Sequence, residues 1–295
     1  MSFRLPRKLL KLIAVVATVF FTYTAIDTSP DNFSQAKVVL KNKVYFDQNH
    51  NGAMGTFYCG CDWRWVGKSG GRVEPKSCGY KVRAMATRGE RTEYEHVVPA
   101  SWFGQQRQCW KKGGRSNCSS NDPVFSAMEA NLHNLTLAIG ELNADRSNYR
   151  FGELPHARKL YGQCSSKVDF SKRIFEPRAE AKGMAARINF YMADRYDLKM
   201  SLQQQKLLMS WHQKYPVTTW ELERDRRISK IMGHSNEFVT GKRTWTLGHQ
   251  NSKDGLKSTA ATQRLLDLFF SFLPENIKTE AQHWLQSLPL NSSSF

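Results

Sequence analysis

Hydrophobic residues recur at helical spacing in the second half of the chain. Pro177 stands where a helix can begin, and four apolar or aromatic residues follow near the helical period: Met184, Ile188, Tyr191 and Tyr196. This pattern predicts a helix whose stripe packs into a core, because such stripes are far more often core than ligand site.

Two capping boxes predict further helices downstream. The Ser201–Gln204 box opens a helix that runs to about Tyr215 and is stopped by Pro216. The Thr218–Glu221 box opens the next helix, which Gly233 terminates. The residues of that helix predicted to face inward are Ile228 and Ile231.

The first half of the chain has a different pattern. Residues 27–43 are polar and mixed, which fits a linker or an entry helix. From Val44 to Gly89, glycine, cysteine and aromatic residues alternate without helical periodicity, which indicates short strands and loops. The two halves together predict an α+β fold: a cross-linked, irregular β region wrapped by helices from about Pro177 to Met232.

The two ends differ from this body. A mostly apolar run at residues 12–26 follows basic residues, which is typical of a signal peptide and short for a membrane span. The bulky Tyr23 near the expected cleavage site leaves an uncleaved N-terminal anchor open. Residues 247–258 are polar and predict a linker before an apolar segment at 265–273, which packs on the domain or contacts a partner or a membrane. We therefore divide the chain into a targeting segment or anchor at 1–26, a domain at 27–246, and a linker with an apolar extension at 247–295.

The chain is strongly basic. Its 295 residues include 43 Lys and Arg against 26 Asp and Glu, which gives a formal net charge of +17 and a pI near 9.7. This balance favours a polyanionic partner, either nucleic acid or an anionic membrane surface. A basic protein kept soluble by its charge is the alternative, and charge names no reaction.

Six cysteines follow the targeting segment: Cys59, Cys61, Cys78, Cys109, Cys118 and Cys164. An even number in an exported chain predicts a set of disulfides. A zinc site is the alternative. However, Cys59 and Cys61 are separated by one residue, whereas zinc ligands are usually spaced by two to four, and no matching pair follows.

Side chains suited to phosphodiester chemistry are concentrated in one stretch. Its elements are Glu93-Tyr94-Glu95-His96, the Cys109–Cys118 loop with Gly113-Gly114-Arg115, His133-Asn134-Leu135, and Glu141 to Asn148. Hydrolysis needs a base for water, a positive centre beside the phosphate and help for the leaving oxygen. His96 titrates in the useful range. Glu95 and Asn143 offer hard oxygens that suit Mg²⁺, and Arg115 can hold a phosphate through two hydrogen bonds.

The position of Glu95 beside His96 raises a geometric question. Neighbours on a strand point to opposite faces, so both side chains reach one groove only if the strand ends or bends there. The following Val97-Val98-Pro99 favours such an end.

This stretch strongly resembles the endonuclease I family of bacterial periplasmic or secreted nucleases. The resemblance covers about Lys43 to Asn236, and its elements occur in the right order: Glu93 to Ala100, Phe103 to Trp110, Gly113 to Arg115, His133 to Leu135, and Asn143 to Asn148. The chain departs from the family at Leu222, where a cysteine is usual, and at Leu137, where a proline is usual. The resemblance implies a ββα-metal, or His-Me finger, active site within the α+β fold.

The resemblance also implies roles for individual residues. The family's general base falls on His96 and its phosphate-binding arginine on Arg115. Its magnesium ligands fall on Glu95 and Asn143, which hold one ion replaceable by Mn²⁺ or Ca²⁺. Five further residues are expected to have structural or substrate-contacting roles: Glu93, Glu129, His133, Asp145 and Arg146. The implied activity is cleavage of DNA and RNA without sequence preference, bound through the phosphate backbone, in the periplasm or outside the cell.

Six cysteines allow fifteen pairings, of which we favour Cys59–Cys164, Cys61–Cys78 and Cys109–Cys118. The third bond closes the short loop that presents Arg115. Cys59 and Cys61, predicted on one strand, point the same way and reach separate partners.

Other classes of protein remain as alternatives. An exported nucleic-acid-binding protein without catalysis needs the charge but not His96, Glu95 and Asn143 together. A zinc hydrolase needs three nitrogen or sulfur ligands, and His96 and His133 lie in no zinc motif. Membrane contact through an uncleaved N-terminus is compatible with either class.

Overall fold

The computed structural model describes residues 29–50 and 53–257. The targeting segment at 1–26 and the apolar segment at 265–273 lie outside the described residues. Within the described part, no helix is long and apolar enough to cross a membrane.

The described chain enters the domain through a helix. Helix α1, Phe33–Val39, is capped by the side chain of Asn32 and continues into a π-helical turn, Leu40–Val44. Ala36 of the helix and Leu40 of the turn are fully buried. The entry helix expected between residues 27 and 43 is therefore present.

Short strands and loops follow, as the pattern from Val44 to Gly89 predicts. Strands β1, Trp63–Val66, and β2, Gly70–Val73, form an antiparallel pair. A 3₁₀ turn, Pro75–Ser77, and the short helix α2, Ala86–Gly89, complete this region.

The central part is a strand pair separated by short helices. The elements in chain order are β3, Thr92–His96; α3, Ala100–Gly104; α4, Gln108–Lys111; α5, Gly114–Asn121; α6, Pro123–Glu129; a 3₁₀ turn, Leu132–Asn134; β4, Leu135–Ile139; and α7, Gly140–Arg146. β3 and β4 are antiparallel, with Glu95 opposite Thr136 and His96 opposite Leu135. β4 leads directly into α7, which therefore packs beside the end of the pair.

The last part contains a small sheet and the longer helices. Its elements are β5, Arg150–Phe151; β6, Lys167–Asp169; β7, Ile174–Glu176; α8, Ala179–Tyr196; α9, Leu202–Lys214; α10, Thr219–Met232; and α11, Glu237–Thr240. The sheet has the order β5-β7-β6, with β5 parallel and β6 antiparallel to β7. The mixed helix and strand content confirms the predicted α+β class.

The helix starts and stops follow their capping residues. The Ser201 side chain accepts a hydrogen bond from the Gln204 amide, and the Thr218 side chain accepts one from the Glu221 amide. Gly233 ends α10 with a left-handed φ of 71°, which suits glycine because it has no side chain. The prediction for Pro177 was wrong by two residues, because Arg178 is the N-cap of α8 and the helix begins at Ala179. The four stripe residues of α8 are all buried.

The β3–β4 pair lies between two apolar clusters. Leu135 and Leu137 of β4 face a smaller cluster that includes Leu40, Trp63 and Ile228. Ala138 and Ile139 face a larger cluster built around the middle of α8. The pair is therefore held on both faces, which fixes the end of β3 in place.

Three disulfides join the pairs favoured from the sequence: Cys59–Cys164, Cys61–Cys78 and Cys109–Cys118. The expectation that Cys59 and Cys61 share a strand was wrong. Both precede β1 in a turn in which the Cys59 and Gly60 amides donate to the Thr56 carbonyl, and Gly60 has a φ of 72°. This turn directs the two sulfurs to different partners.

The polar segment predicted as a linker is packed against α8 as far as the structure describes it. His249 and Ser252 donate hydrogen bonds to the Asp194 carboxylate at 2.7 Å each. Just before the segment, Trp245 stacks on Phe190 with ring centroids 4.9 Å apart. Residues up to 257 are thus part of the folded body.

Candidate active site

The four residues to which the sequence assigned chemical roles converge on one cavity of about 680 Å³. His96 and Glu95 reach it from the end of β3, and Asn143 reaches it from α7. Arg115, from the first turn of α5, also lines this cavity. The strand ends at His96, as Val97-Val98-Pro99 predicted, so two neighbouring side chains open into one space.

His96 is buried and its ring is held in one orientation. Its Nε2 lies 2.8 Å from the backbone carbonyl oxygen of Glu129. Because a carbonyl accepts hydrogen bonds, Nε2 carries the proton and Nδ1 has the free lone pair. The pKa of His96 is lowered to about 3, chiefly by burial; the Glu129 carbonyl opposes this shift, and the positive charges of Arg115 and Arg146 add to it.

This pKa is lower than the range expected from the sequence. Burial in the cavity wall is the physical reason, because a charged imidazole loses its hydration there. The ring is therefore neutral at physiological pH, which is the state that a base needs before it accepts a proton.

Glu95 is buried beside a cation. Its Oε1 accepts hydrogen bonds from the Tyr58 hydroxyl at 2.7 Å and from Arg146 at 2.8 Å. Burial raises the pKa of the Glu95 carboxyl, and the Arg146 charge opposes that rise. Among the described residues, no hydrogen bond uses the second oxygen, Oε2.

Asn143 has one end of its amide fixed. Its Nδ2 donates to Glu93 Oε2 at 2.9 Å, and Glu93 is itself held by Arg88 and Arg91. This bond sets the orientation of the amide and leaves Oδ1 without a hydrogen-bonding partner in the described part of the chain. Glu95 and Asn143 thus each present one spare oxygen at the cavity.

Arg115 is half-exposed and paired on one side. Its Nε donates to Glu129 Oε1 at 2.5 Å, and Ser119 donates to the other carboxylate oxygen at 2.9 Å. The Cys109–Cys118 bond ties α4 to α5, the helix that presents this arginine. The terminal nitrogens of Arg115 are available to an oxyanion in the cavity.

The other candidates support these groups or lie elsewhere. Arg146 donates to the His96 and Val97 carbonyls as well as to Glu95, so it joins the end of β3 to α7. Asp145 faces away and holds Arg83. His133 does not line the cavity, because it packs against Tyr191 with ring centroids 4.7 Å apart. It has a core role rather than contact with substrate.

Sequence reasoning missed several cavity residues. Phe33 and Lys37 line the cavity from α1, and Tyr58 supports Glu95 from behind. None of them lies near the stretch from Glu93 to Asn148 in sequence, and Tyr58 is 37 positions from its partner. A local pattern has no means of indicating such contacts.

The oxygens present suit a magnesium ion. Among the described residues, no group of three or more His, Cys, Asp or Glu side chains is arranged to hold a metal. Mg²⁺ does not require such a group, because it keeps several waters and typically binds one or two protein carboxylates together with substrate phosphates. Glu95 Oε2 and Asn143 Oδ1 match that mode of binding.

Known proteins are similar to this chain over most of its described part. The family model described as Endonuclease I matches residues 32–242. An Endonuclease-1 of Buchnera aphidicola subsp. Baizongia pistaciae is 46% identical over 213 residues, 72% of this chain and 84% of the relative. A periplasmic deoxyribonuclease of Aeromonas hydrophila is 43% identical over 206 residues, 69% of this chain and 84% of the relative.

A more distant relative matches over a longer stretch. An extracellular endonuclease of Pseudomonas fluorescens biotype A is 32% identical over 238 residues, 78% of this chain and 95% of the relative. The family match begins before the Lys43 limit drawn from the sequence motifs and includes α1.

Proposed function

The chain belongs to the endonuclease I family and is an exported nuclease, and we propose that it hydrolyses DNA and RNA without sequence preference, using Mg²⁺ and His96 as the general base. One observation supports this proposal above the others. A neutral histidine, two spare oxygens suited to Mg²⁺ and a phosphate-binding arginine line one cavity.

His96 takes the proton from the attacking water. The Glu129 carbonyl holds Nε2–H, so Nδ1 accepts that proton as the water oxygen forms its bond to phosphorus. The bond from phosphorus to the 3′ oxygen breaks, and the leaving oxygen takes a proton from solvent. The negative charge of the phosphate beside the ring favours the protonated imidazole, which offsets the effect of burial on its pKa.

Arg115 and the metal ligands would deal with the negative charge on the phosphate and on the leaving oxygen. The Arg115 guanidinium binds a nonbridging phosphate oxygen and neutralises the charge that builds up on phosphorus. Glu95 Oε2 and Asn143 Oδ1 would hold the ion, which would supply positive charge to stabilise the leaving oxygen. Arg146 keeps Glu95 and the end of β3 in register.

A binding protein without catalysis is the alternative function. It would use the net charge of +17 but would gain nothing from a histidine with a fixed tautomer or from two spare ligand oxygens. The site therefore favours catalysis.

Supercoiled plasmid and a folded RNA, incubated with purified oxidised protein, test the proposal. We expect nicking and then full degradation of both in Mg²⁺, and no cleavage in excess chelator. Binding without cleavage in Mg²⁺ would establish the non-catalytic alternative. Cleavage in chelator at the rate seen in Mg²⁺ would reject the proposed requirement for a metal ion.

A further inference from the structure

Helix α1 forms a wall of the active-site cavity. Phe33 and Lys37, one helical turn apart, both line the cavity. The Phe33 ring centroid lies 4.7 Å from that of His96, and the Arg115 guanidinium lies 5.6 Å from the Phe33 ring. One aromatic ring therefore contacts both the base and the phosphate-binding arginine.

The position of α1 is fixed by packing. Ala36 and Leu40 are fully buried in the smaller apolar cluster, and Asn32 caps the helix. Arg227 of α10 donates to the Val44 carbonyl at 2.7 Å, which ties the following π-helical turn to the body. The side chains that α1 presents to the cavity are thus held by a rigid element.

Lys37 differs from the other cations of the cavity. Four cationic side chains line it: Lys37, Arg88, Arg115 and Arg146. The three arginines pair with glutamates, namely Glu93, Glu129 and Glu95. Lys37 has no acidic partner within ion-pair distance among the described residues, and its Nζ lies 5.0 Å from the Phe33 ring centroid. It is the cavity cation whose charge the described side chains leave uncompensated.

We propose that α1 is part of the active site: Phe33 positions the His96 imidazole and the Arg115 guanidinium, and Lys37 binds a phosphate of the substrate strand next to the scissile one. This inference rests on the proposed function. Phe33 closes one side of the imidazole, with Phe103 on another at 6.4 Å between centroids. Without Phe33 the ring and the guanidinium lose a common contact, and small displacements of catalytic groups cost large factors in rate.

The lysines of α1 and its π-helical turn provide a matched test of Lys37. Lys41 follows one turn later but points elsewhere, because its Nζ donates to the Gly67 carbonyl at 2.5 Å and lies over Trp65. Lys37→Ala should weaken binding of a labelled oligonucleotide in chelator by roughly tenfold and lower the slope of log affinity against log salt by about one. Lys37→Arg should keep most of the affinity, and Lys41→Ala should match the wild type. Equal effects of Lys37→Ala and Lys41→Ala would overturn the role of Lys37.

Separate measurement of kcat and KM tests the role of Phe33. Phe33→Ala should lower kcat by roughly tenfold to a hundredfold with KM within about twofold of the wild type, because a displaced base affects the transition state rather than ground-state binding. Phe33→Tyr keeps the ring and should restore most of kcat. Phe46→Ala removes an exposed aromatic outside the cavity and should leave kcat unchanged.

Two results would overturn the role of Phe33. One is a normal kcat in Phe33→Ala. The other is a loss that Phe33→Tyr does not restore and that matches the fraction of unfolded protein. Suppose that the wild type cleaves in Mg²⁺ and His96→Ala does not. Wild-type activity and binding of the Phe33→Ala and Lys37→Ala variants would then overturn this inference and leave the proposed function intact. If the wild type does not cleave, the binding arm in chelator still decides the role of Lys37.

Discussion

The spare oxygens of Glu95 and Asn143 are the residue-level basis of the metal proposal. Asn143→Ala removes Oδ1, while Glu93 keeps its contacts with Arg88 and Arg91, so the fold should be preserved. We expect the Mg²⁺ concentration for half-maximal cleavage to rise at least roughly tenfold. Asn121→Ala, which removes an exposed amide at the end of α5, is the control. An unchanged magnesium titration for Asn143→Ala would exclude this residue as a ligand.

Arg146 is expected to matter for stability as well as activity. It is buried, pairs with buried Glu95 and donates to two carbonyls at the end of β3. Arg146→Ala should lower the free energy of unfolding by about 3–5 kcal/mol, since it leaves a buried carboxylate without its cation. Arg226→Ala breaks an exposed, solvent-screened pair with Glu223 and should have a far smaller effect. Denaturant unfolding of both variants measures the difference, and equal values would contradict it.

At the residue scale, the sequence predicted the proposed catalytic groups better than the groups that support them. His96, Glu95, Asn143 and Arg115 share one cavity as expected. Tyr58 and Phe33 could not be predicted, because their contacts depend on how distant segments pack. The low pKa of His96 could not be predicted either, since burial is a property of the fold.

At the element scale, α5 depends on a disulfide for its position. The Cys109–Cys118 bond spans 9 positions and holds the helix that presents Arg115, whereas Cys59–Cys164 spans 105. In the loop-entropy model the long bond contributes roughly 4 to 5 kcal/mol and the short one about 2 to 3. The double serine variant at 109 and 118 should therefore stay folded and lose activity, while that at 59 and 164 should lose about 2 kcal/mol more stability.

Thermal melts and plasmid cleavage of the two double variants check this expectation. Full reduction should give a loosely folded, poorly active protein that recovers on oxidation, which would restrict the activity to the compartment after export. A short-bond variant with wild-type activity would show that α5 needs no cross-link to present Arg115.

Elements with strong local signals were predicted well, and short or turn-bound ones were not. The caps at Ser201 and Thr218 set the starts of α9 and α10, because a side chain there satisfies the first free amide groups. The short helices α3 to α6 were not predicted, since four to eight residues are too few to show a helical period. The strand predicted at Cys59 and Cys61 is a turn at Gly60, because alternating cysteines are equally compatible with either structure.

At the scale of the whole molecule, the net charge of +17 predicts how substrate binds. Contacts to phosphates release counterions, so affinity for DNA should fall steeply and linearly with salt on logarithmic axes. Because phosphates contain no sequence information, duplexes of unrelated sequence should bind with similar affinity. Fluorescence anisotropy in chelator over a range of salt concentrations measures both. Protection of one short sequence by the protein, or a slope near zero, would contradict this account.

Single-turnover cleavage by His96→Ala tests the central claim most directly. The matched control is His156→Ala, which removes an exposed histidine outside the cavity. With enzyme in excess and saturating Mg²⁺, we predict that the cleavage rate of His96→Ala is lower than that of the wild type by on the order of a hundredfold or more, as expected for loss of a general base. It should still fold and bind DNA, because the base acts in the transition state, and His156→Ala should cleave normally. A cleavage rate for His96→Ala close to that of the wild type would contradict the account.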